Sequence, residues 1–569
     1  MTAVDQGRGP AVGIAIEDGL ASPPTALDPP VPAARTAVAW QVKADARVAA
    51  RALHDAMSSS QASSVEETWE PARDAALDTT ADAAGGDGFR TEVAGGVRWS
   101  LIATIGTLAG RMTFVVVLMR LLGPESFGIV AQATVYITIA TIFLNLGLPV
   151  TIIQRRHLGR ADVGTALTLT ITAGLVLGVV TALGAPLLAS FFQTEELTGV
   201  LQLVSISLVL KAAAVVPTGI LAREMRFRTL GTAEIFSTAI SGGVAILAAV
   251  NGASYWALVI QILLLDAIYL ALVFGPAALP APTWSRRAAQ GLWSFSSRMM
   301  GSDIINYLSS NGDKILIARF LGATPLALYS LATRVLVIPI ETLGKTADRV
   351  ILPTFSRLQD DGQRVTRYFL EATATVALFI SAPMALVILC APLGVPIAFG
   401  DAWDKAVLPL QLFAAHGVFF LLIALTNPVV QAAGRADWEF RWSLFTTVVA
   451  VATFAVGLNW GIAGVAACFL VQGALLNPIR FVMVQRLIPL SAPAYLRQLA
   501  PAATSTAALA GAWIVVAAAL QDRVSDLGVL AGASVAAMVA FIMAMRLVWW
   551  ADLKRQLEFI RQVARPRSA

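Results

Sequence analysis

The chain has 569 residues, of which 57% are hydrophobic and only 14% are charged, and its mean hydropathy is +0.72. Soluble proteins carry about 25% charged residues, so this composition excludes an ordinary water-soluble protein and indicates that lipid surrounds most of the chain. A net charge of +5 would suit nucleic-acid binding in a soluble protein, but arginines in cytoplasmic loops account for it here. We therefore expect a membrane protein with no nucleic-acid partner.

The first 90 residues differ in composition from everything after them. They are rich in Ala, Asp, Ser and Pro and contain few aromatic side chains. Such a segment cannot bury enough apolar surface to offset the loss of chain entropy on folding. We expect residues 1–90 to form a disordered cytoplasmic tail, and the alternative is that translation starts further along the chain.

Apolar runs of roughly 18–25 residues recur from Val97 onward, and each is long enough to cross a bilayer as a helix. The sequence therefore predicts an all-α integral membrane protein with about 14 transmembrane helices. The predicted spans are 97–121, 126–148, 163–190, 198–222, 229–250, 254–275, 293–319, 325–344, 368–389, 406–428, 442–459, 461–483, 499–520 and 527–549.

Positive charge is distributed unevenly between alternate connections. The even-numbered connections hold most of the loop arginines, among them Arg155, Arg226 and Arg480. Because cytoplasmic loops carry the excess of Lys and Arg, these connections should be cytoplasmic, together with both termini.

A short internal repeat relates two parts of the chain. The segments RLLGPESFGIVAQAT, from Arg120, and RFLGATPLALYSLAT, from Arg319, match at a constant offset of 199 residues. Each lies between the first and second helices of a six-helix set. Because six is an even number of spans, both sets enter the membrane in the same direction. We expect two lobes related by a pseudo-two-fold axis along the membrane normal. The predicted units are a tail (1–90), an N-lobe of helices 1–6 (97–275), a C-lobe of helices 7–12 (293–483), helices 13–14 (499–549) and a cytoplasmic tail (550–569).

Polar side chains recur at helical spacing in the lead helix of each lobe. Intervals of three or four residues place side chains on one helical face, and ionisable groups within a membrane normally face protein or a water-filled cavity. The stripes predict a hydrated cleft between the lobes, and the alternative is that they only bind neighbouring helices. They are Ser100, Thr104, Thr107 and Arg111 in the first helix, and Arg298, Ser302, Asn306, Ser309 and Asp313 in the seventh.

Four further ionisable residues lie near the middle of predicted helices: Lys211, Asp266, Arg334 and His416. Lys211 and Asp266 are candidates for substrate binding and ion coupling, or they simply pair with each other. His416 is a candidate for proton coupling, although an interior histidine with satisfied hydrogen bonds is the commoner case.

Motifs of soluble enzymes are absent from the sequence. Gly344-Lys345-Thr346 resembles the end of a phosphate-binding loop, but the first glycine and the preceding strand are missing. We expect no catalytic residue, no metal and no cofactor.

Four stretches of the chain resemble a known family. They are LLGPESFGIVAQATV, FLNLGLPVTIIQRR, NGDKILIARFLGATPLALYSLATRV and VILPTFSRLQDD. They resemble the Wzx-type polysaccharide flippases, and most closely the colanic and teichuronic acid exporter branch of the polysaccharide transporter family. The wider superfamily also contains the lipid II flippases and the multidrug and toxin extruders.

This resemblance implies a function and a set of binding residues. Such proteins move undecaprenyl-pyrophosphate-linked oligosaccharide units across the bacterial cytoplasmic membrane, which is therefore the implied location. The implied partners are that lipid-linked substrate, membrane lipid, and polysaccharide polymerase or assembly proteins. The family lines its cavity with cations, which implies this role for Arg111, Arg298 and Arg334, and less directly for Lys211. Guanidinium groups suit this role because they bind phosphate through two parallel hydrogen bonds.

Two other functions compete with a flippase. A drug or cation antiporter of the same fold should carry a carboxylate in an apolar pocket at mid-membrane, for which Asp266 is the candidate. A membrane glycan ligase or polymerase should carry large outside loops with functional groups, whereas every predicted outside loop is short. The flippase is the function that the sequence favours.

Overall fold

The computed structural model describes residues 87–145, 159–286, 289, 307–308, 310–346, 351–358, 361–550, 552 and 554–556. Every regular element within these ranges is a helix, as expected where backbone groups must find their partners inside a membrane-spanning segment. The predicted N-terminal tail lies outside these ranges except for residues 87–90, which are helical.

The first half of the described chain consists of five long helices. The first of them, α1, contains two predicted spans, which meet at a kink where Gly123 has φ 71° and ψ 174° and Pro124 follows. The bounds are α1 Asp87–Asn145, α2 Arg160–Phe192, α3 Leu197–Arg223, α4 Phe227–Val250 and α5 Trp256–Phe274.

The second half begins with a helical stretch at residues 310–320, which belongs to the predicted seventh span. The predicted tenth span, 406–428, is divided between two helices that meet at Leu425. The bounds are α6 Ala323–Thr346, α7 Leu352–Leu358, α8 Gly362–Phe399, a 3-10 turn at Asp401–Ala406, α9 Val407–Ala424, α10 Thr426–Ala432, α11 Ala436–Gly457, a 3-10 turn at Leu458–Trp460, α12 Gly461–Gln485, α13 Ala492–Leu520 and α14 Asp526–Val548.

Nine helical segments within the described ranges are long and apolar enough to cross a membrane. Two of them, Gly106–Leu144 and Asp437–Gln485, are 39 and 49 residues long, and each contains two of the spans predicted from the sequence. The all-helical, multi-pass architecture is confirmed. The number of fourteen spans stays a prediction, because part of the chain that should contain them lies outside the described residues.

The turns that end alternate helices lie on one face of the molecule, which we call the turn face. It holds the kink at Gly123 and residues 193–196, 251–255, 321–322 and 400–406. Direct contacts join several of these turns, for example the hydroxyl oxygens of Ser126 and Ser254, which are 3.0 Å apart. The positive-inside argument predicts that the turn face is the outer side of the membrane.

The two copies of the internal repeat share an uncommon backbone conformation. Gly123 has φ 71° and Gly322 has φ 94°, and these two glycines occupy matching positions at the offset of 199 residues. Residues with a side chain rarely adopt such angles. The repeat therefore marks two turns of the same kind, while the symmetry of the whole lobes stays a prediction.

Helix packing shows where the last two helices attach. Within the first half, α2 packs along α3, and α4 packs against both α5 and α1. At the end of the chain, α13 and α14 pack on each other and on α8. The final pair is therefore an addition to the second half of the molecule.

Candidate functional site

The two halves of the molecule are joined at the turn face by a buried indole. Trp403, in the 3-10 turn after α8, is fully buried, and its Nε1 donates a hydrogen bond to the carbonyl oxygen of Met119 at 3.1 Å. The ring also makes an edge contact with Phe127, with ring centroids 5.9 Å apart. Trp403 thus fills the space between α1 and the C-terminal half.

A second buried hydrogen bond joins the halves, and here the donor is in the N-terminal half and the acceptor in the C-terminal half. Nε2 of Gln132 donates to the carbonyl oxygen of Ala318 at 3.1 Å. Met119 and Ala318 are equivalent positions in the repeat, because they are 199 residues apart. The residue before each repeat segment therefore offers its backbone carbonyl to a donor from the other half of the chain.

The arginines that open the two repeat segments also reach across. Nη1 of Arg120 donates to the carbonyl oxygen of Ile397 at 2.6 Å, near the end of α8. Arg319 lies over the ring of Phe191, 5.4 Å from its centroid, near the end of α2. Each arginine thus contacts the end of a long helix in the other half of the chain, and together these contacts close the turn face.

Arg111 and Arg334 lie just beyond this closure, toward the opposite face. Val115 of α1 packs in the same apolar cluster as Leu331 of α6. Arg111 precedes Val115 by four residues and Arg334 follows Leu331 by three, so each arginine is one helical turn further along the same face. Both side chains are exposed, and both lie about 18 Å along their helices from Gly123 and Gly322. The two predicted cations therefore occupy matching depths below the closed layer.

A second cation lies near Arg334, whose side chain is exposed. Lys314 lies within electrostatic range of its guanidinium and donates from Nζ to Oδ1 of Asn311 at 2.9 Å. Lys314 is not among the cations predicted for the cleft, so it is a neighbour that the sequence alone did not reveal.

The structure corrects the position predicted for Asp313. Its side chain is only 4% exposed, and it accepts a hydrogen bond from the hydroxyl of Tyr329 at 2.5 Å. Tyr329 is itself fully buried in α6. Asp313 therefore lies between helices rather than on the surface of a cleft, because the next helix along the chain covers it.

Lys211 and Asp266 form an ion pair, which was one of the two alternatives for them. Nζ of Lys211 lies 2.6 Å from Oδ1 of Asp266, with the two side chains 32% and 7% exposed. The second carboxylate oxygen accepts a hydrogen bond from Ser207. This network joins α3 to α5, so both charges have partners within one half of the molecule.

His416 lies in the interior between α9 and α12. Its ring makes an edge contact with Phe469, with centroids 5.6 Å apart, and a Cβ added at Gly473 would lie 3.0 Å from its Nδ1. The backbone of α12 thus approaches the imidazole closely. This packing supports the interior reading of His416, and its role in coupling stays a prediction.

Four residues of the predicted polar stripe of the seventh helix, Arg298, Ser302, Asn306 and Ser309, lie outside the described residues. The structure brings Arg111 and Arg334 to matching depths, places Asp313 between helices and pairs Lys211 with Asp266. None of these arrangements tests a role in transport, and the site therefore remains a proposal.

Arg480 is a buried cation that the sequence placed in a connection. Its side chain is 1% exposed, and Nη2 donates to Oε2 of Glu439 at 2.5 Å and to Oδ1 of Asn427 at 2.7 Å. Its Nε donates to the hydroxyl of Thr426 at 3.0 Å, and its guanidinium lies over the ring of Trp442. Arg480 therefore ties α12 to α10 and α11.

Comparison with known proteins places this geometry in a family. Residues 117–408 match the model of a family described as polysaccharide biosynthesis protein. The chain belongs to this family. Within it, TuaB of Bacillus subtilis (strain 168), a teichuronic acid biosynthesis protein, is 30% identical over 53% of this chain and 63% of TuaB. The chain thus spans slightly less than two thirds of TuaB.

A longer match is found with WzxC of Escherichia coli (strain K12), a lipopolysaccharide biosynthesis protein. The two are 26% identical over 72% of this chain and 85% of WzxC. The resemblance to Wzx-type polysaccharide transporters that the sequence predicted is confirmed. The family match and the long apolar helices of the described residues together identify a multi-pass membrane protein of polysaccharide biosynthesis.

A solved structure supports the same fold. The lipid II flippase MurJ, in an inward closed conformation, superposes with a TM-score of 0.61 and 11% identity, over 80% of this chain and 99% of MurJ. At this identity the likeness concerns the fold alone. This protein therefore has a MurJ-like helical fold.

Proposed function

We propose that this protein moves undecaprenyl-pyrophosphate-linked oligosaccharide repeat units from the cytoplasmic to the outer leaflet for cell-surface polysaccharide biosynthesis. In this proposal, fourteen helices form two six-helix lobes plus an additional pair, and both termini are cytoplasmic. The glycan and its pyrophosphate cross through the cleft between the lobes. The prenyl chain remains in lipid and enters between helices at the side.

The observation that carries this proposal is the placement of Arg111 and Arg334. They lie at matching depths on two helices that pack together, one turn below the closed apolar layer, and both are exposed. Lys314 adds a third cation near Arg334. A pyrophosphate is a dense anion, and guanidinium groups bind phosphate oxygens through two parallel hydrogen bonds. The top of the cleft is therefore suited to the charged part of a lipid-linked sugar.

The arrangement supports transport by alternating access. In this proposal the closed turn face, held by Trp403, Gln132 and Arg120, shields the cations from the outer side, and the substrate reaches them from the cytoplasmic side. Release on the outer side requires these contacts to separate while the lobes approach each other at the cytoplasmic ends. No covalent step is needed, because the substrate is moved and not altered.

The ion pair in the first half of the molecule weighs against an antiporter. A drug or cation antiporter needs a carboxylate that binds its cargo or a coupling ion. Here Asp266 is already neutralised by Lys211 at 2.6 Å and hydrogen-bonded by Ser207. Displacing this partner would leave a buried charge unpaired, which is energetically unfavourable.

A complementation experiment tests the proposal. A strain that lacks the gene should accumulate lipid-linked oligosaccharide, and the wild-type protein should restore surface polysaccharide. Arg111→Ala and Arg334→Ala should each abolish export at normal membrane abundance, and the Lys variants should restore it in part because the ammonium keeps the charge without the planar fork. Arg364→Ala, at an exposed arginine with an exposed partner, is the matched control. Normal export by both Ala variants would show that the cationic cleft is not the route.

A further inference from the structure

A groove of about 360 Å³ opens between α11 and α12, at the end of these helices opposite the turn face. It is distant in the fold from the cleft described above, because neither α1 nor α6 lines it. Its walls are almost entirely apolar, and its rim carries two arginines. Phe445 of α11 faces Ile479 and Val482 of α12 across it.

The charged groups are confined to one end of the groove. Arg441, on α11, and Arg486, just after α12, both line it and are exposed. Among the described residues, neither arginine lies within 4.0 Å of a carboxylate oxygen, and no acidic side chain lines the groove. The nearby Glu439 is already bound to the buried Arg480. The rim therefore presents two positive charges without a bound counter-charge.

The apolar wall continues from these charges toward the middle of the membrane. Val482 and Ile479 lie four and seven residues before Arg486, on the same face of α12, and Phe445 lies four residues after Arg441 on α11. Moving from the rim inward, the groove thus changes from cationic to apolar over about two helical turns. This order matches a phospholipid, in which an anionic phosphate would lie at the cationic rim and a hydrocarbon chain along the apolar wall.

Trp442, which lines the groove, packs against a buried arginine. The guanidinium of Arg480 lies 5.5 Å from the centroid of the Trp442 ring, which lines the groove. Because Arg480 is bonded to Thr426, Asn427 and Glu439, the ring rests on a fixed support. Tryptophan is typical of the interfacial layer in which lipid headgroups lie.

From this geometry we infer that the groove binds an anionic phospholipid of the cytoplasmic leaflet. The headgroup phosphate lies between Arg441 and Arg486, and one acyl chain runs along Phe445, Ile479 and Val482. The assignment to the cytoplasmic leaflet rests on the proposed orientation of the helices. The site does not depend on the transported substrate, since it lies outside the cleft between the lobes.

Native mass spectrometry of the purified full-length protein tests the inference. Phosphatidylglycerol and phosphatidylcholine of identical acyl chains are titrated against wild type and the double variant Arg441→Ala/Arg486→Ala. We expect phosphatidylglycerol to bind wild type more tightly, and the double variant to lose about tenfold in this affinity, as for the loss of charge-assisted hydrogen bonds. Binding of phosphatidylcholine should hardly change.

Two further variants make the result decisive. Arg364→Ala/Arg497→Ala removes the same charge at exposed positions outside the groove, and it should retain wild-type affinity. Val482→Trp fills the groove without changing charge, and it should also weaken phosphatidylglycerol binding. Equal losses in the two arginine double variants would show only a general effect of charge, and the inference would be wrong. It would also be wrong if undecaprenyl phosphate, but not phosphatidylglycerol, bound in an Arg441- and Arg486-dependent manner.

Discussion

Trp403 and Met119 are joined by a hydrogen bond of 3.1 Å from the indole Nε1 to the backbone carbonyl oxygen. The equivalent carbonyl in the second repeat, that of Ala318, accepts from Gln132 at the same distance. Both bonds are neutral, and a neutral hydrogen bond contributes only about 1 kcal/mol to stability. These two bonds can break without leaving a charged group unpaired, and the charged contact of the closure that the structure shows beside them is that of Arg120 with a neutral carbonyl.

The first prediction concerns this indole. Trp403→Phe keeps an aromatic ring beside Phe127 but removes the donor to Met119, so the turn face should open more often. We expect faster labelling of a cysteine placed at Val115 by an impermeant maleimide added outside intact cells, in a background without Cys390 and Cys468. Trp460→Phe, at an exposed tryptophan in another turn, is the control. Equal labelling in both variants would show that the bond does not hold the closure.

The second prediction concerns a close approach between the two halves of the chain. A Cβ built at Gly128 would lie 2.1 Å from the carbonyl oxygen of Ala323, so Gly128→Ala should prevent the turn face from closing fully. Export should fall sharply, while Gly184→Ala, in α2 with nothing within 4 Å of its added Cβ, should export normally. Export is measured as surface polysaccharide at matched protein abundance. If the Gly128 variant exports as well as wild type, the approach has no part in the transport cycle.

The third prediction concerns the ion pair between α3 and α5. Lys211→Met leaves Asp266, 7% exposed, without its cation, and breaking a buried pair costs up to about 3–5 kcal/mol. The melting temperature of the detergent-solubilised protein should fall, and the double variant Lys211→Met/Asp266→Asn should recover most of the loss. A different outcome, in which Asp266→Asn abolishes export at an unchanged melting temperature, would assign the carboxylate to coupling and revive the antiporter alternative.

The fourth prediction concerns orientation. Single cysteines at Glu196 and Asp522, both exposed, should react with an impermeant maleimide in intact cells that express a variant without Cys390 and Cys468. A cysteine at Arg364, also exposed, should react only after the membrane is permeabilised. The reverse pattern would place the turn face in the cytoplasm, and the direction of transport would have to be reconsidered.

Some parts of the structure were readable from the sequence because they depend on local pattern. The length of the apolar runs predicts helices, and the repeat around Gly123 and Gly322 predicts two similar turns, which both have positive φ. The exposed positions of Arg111 and Arg334 agree with a cleft, although no contact in the structure tests their role.

Other features depend on contacts between segments that are distant in the sequence. The spacing of residues along one helix does not predict these contacts. Asp313 shares a helical face with the predicted stripe, yet Tyr329 from the next helix covers it. Arg480 was counted as a loop residue because an arginine near the end of an apolar run usually is one. Its partners Asn427 and Glu439 lie on separate segments, so only the folded chain reveals its burial.

The buried Arg480 has a consequence for how the chain enters the membrane during synthesis. Releasing α12 alone would leave Arg480, near the C-terminal end of that helix, without its counter-charge at the edge of the hydrocarbon layer. Its partner Glu439 is made earlier, at the start of α11, and the turn between the two helices is so tight that a Cβ at Gly464 would lie 2.3 Å from the carbonyl oxygen of Gly457. The two segments are therefore suited to leave the translocon together as a helical hairpin, with opposite charges already matched.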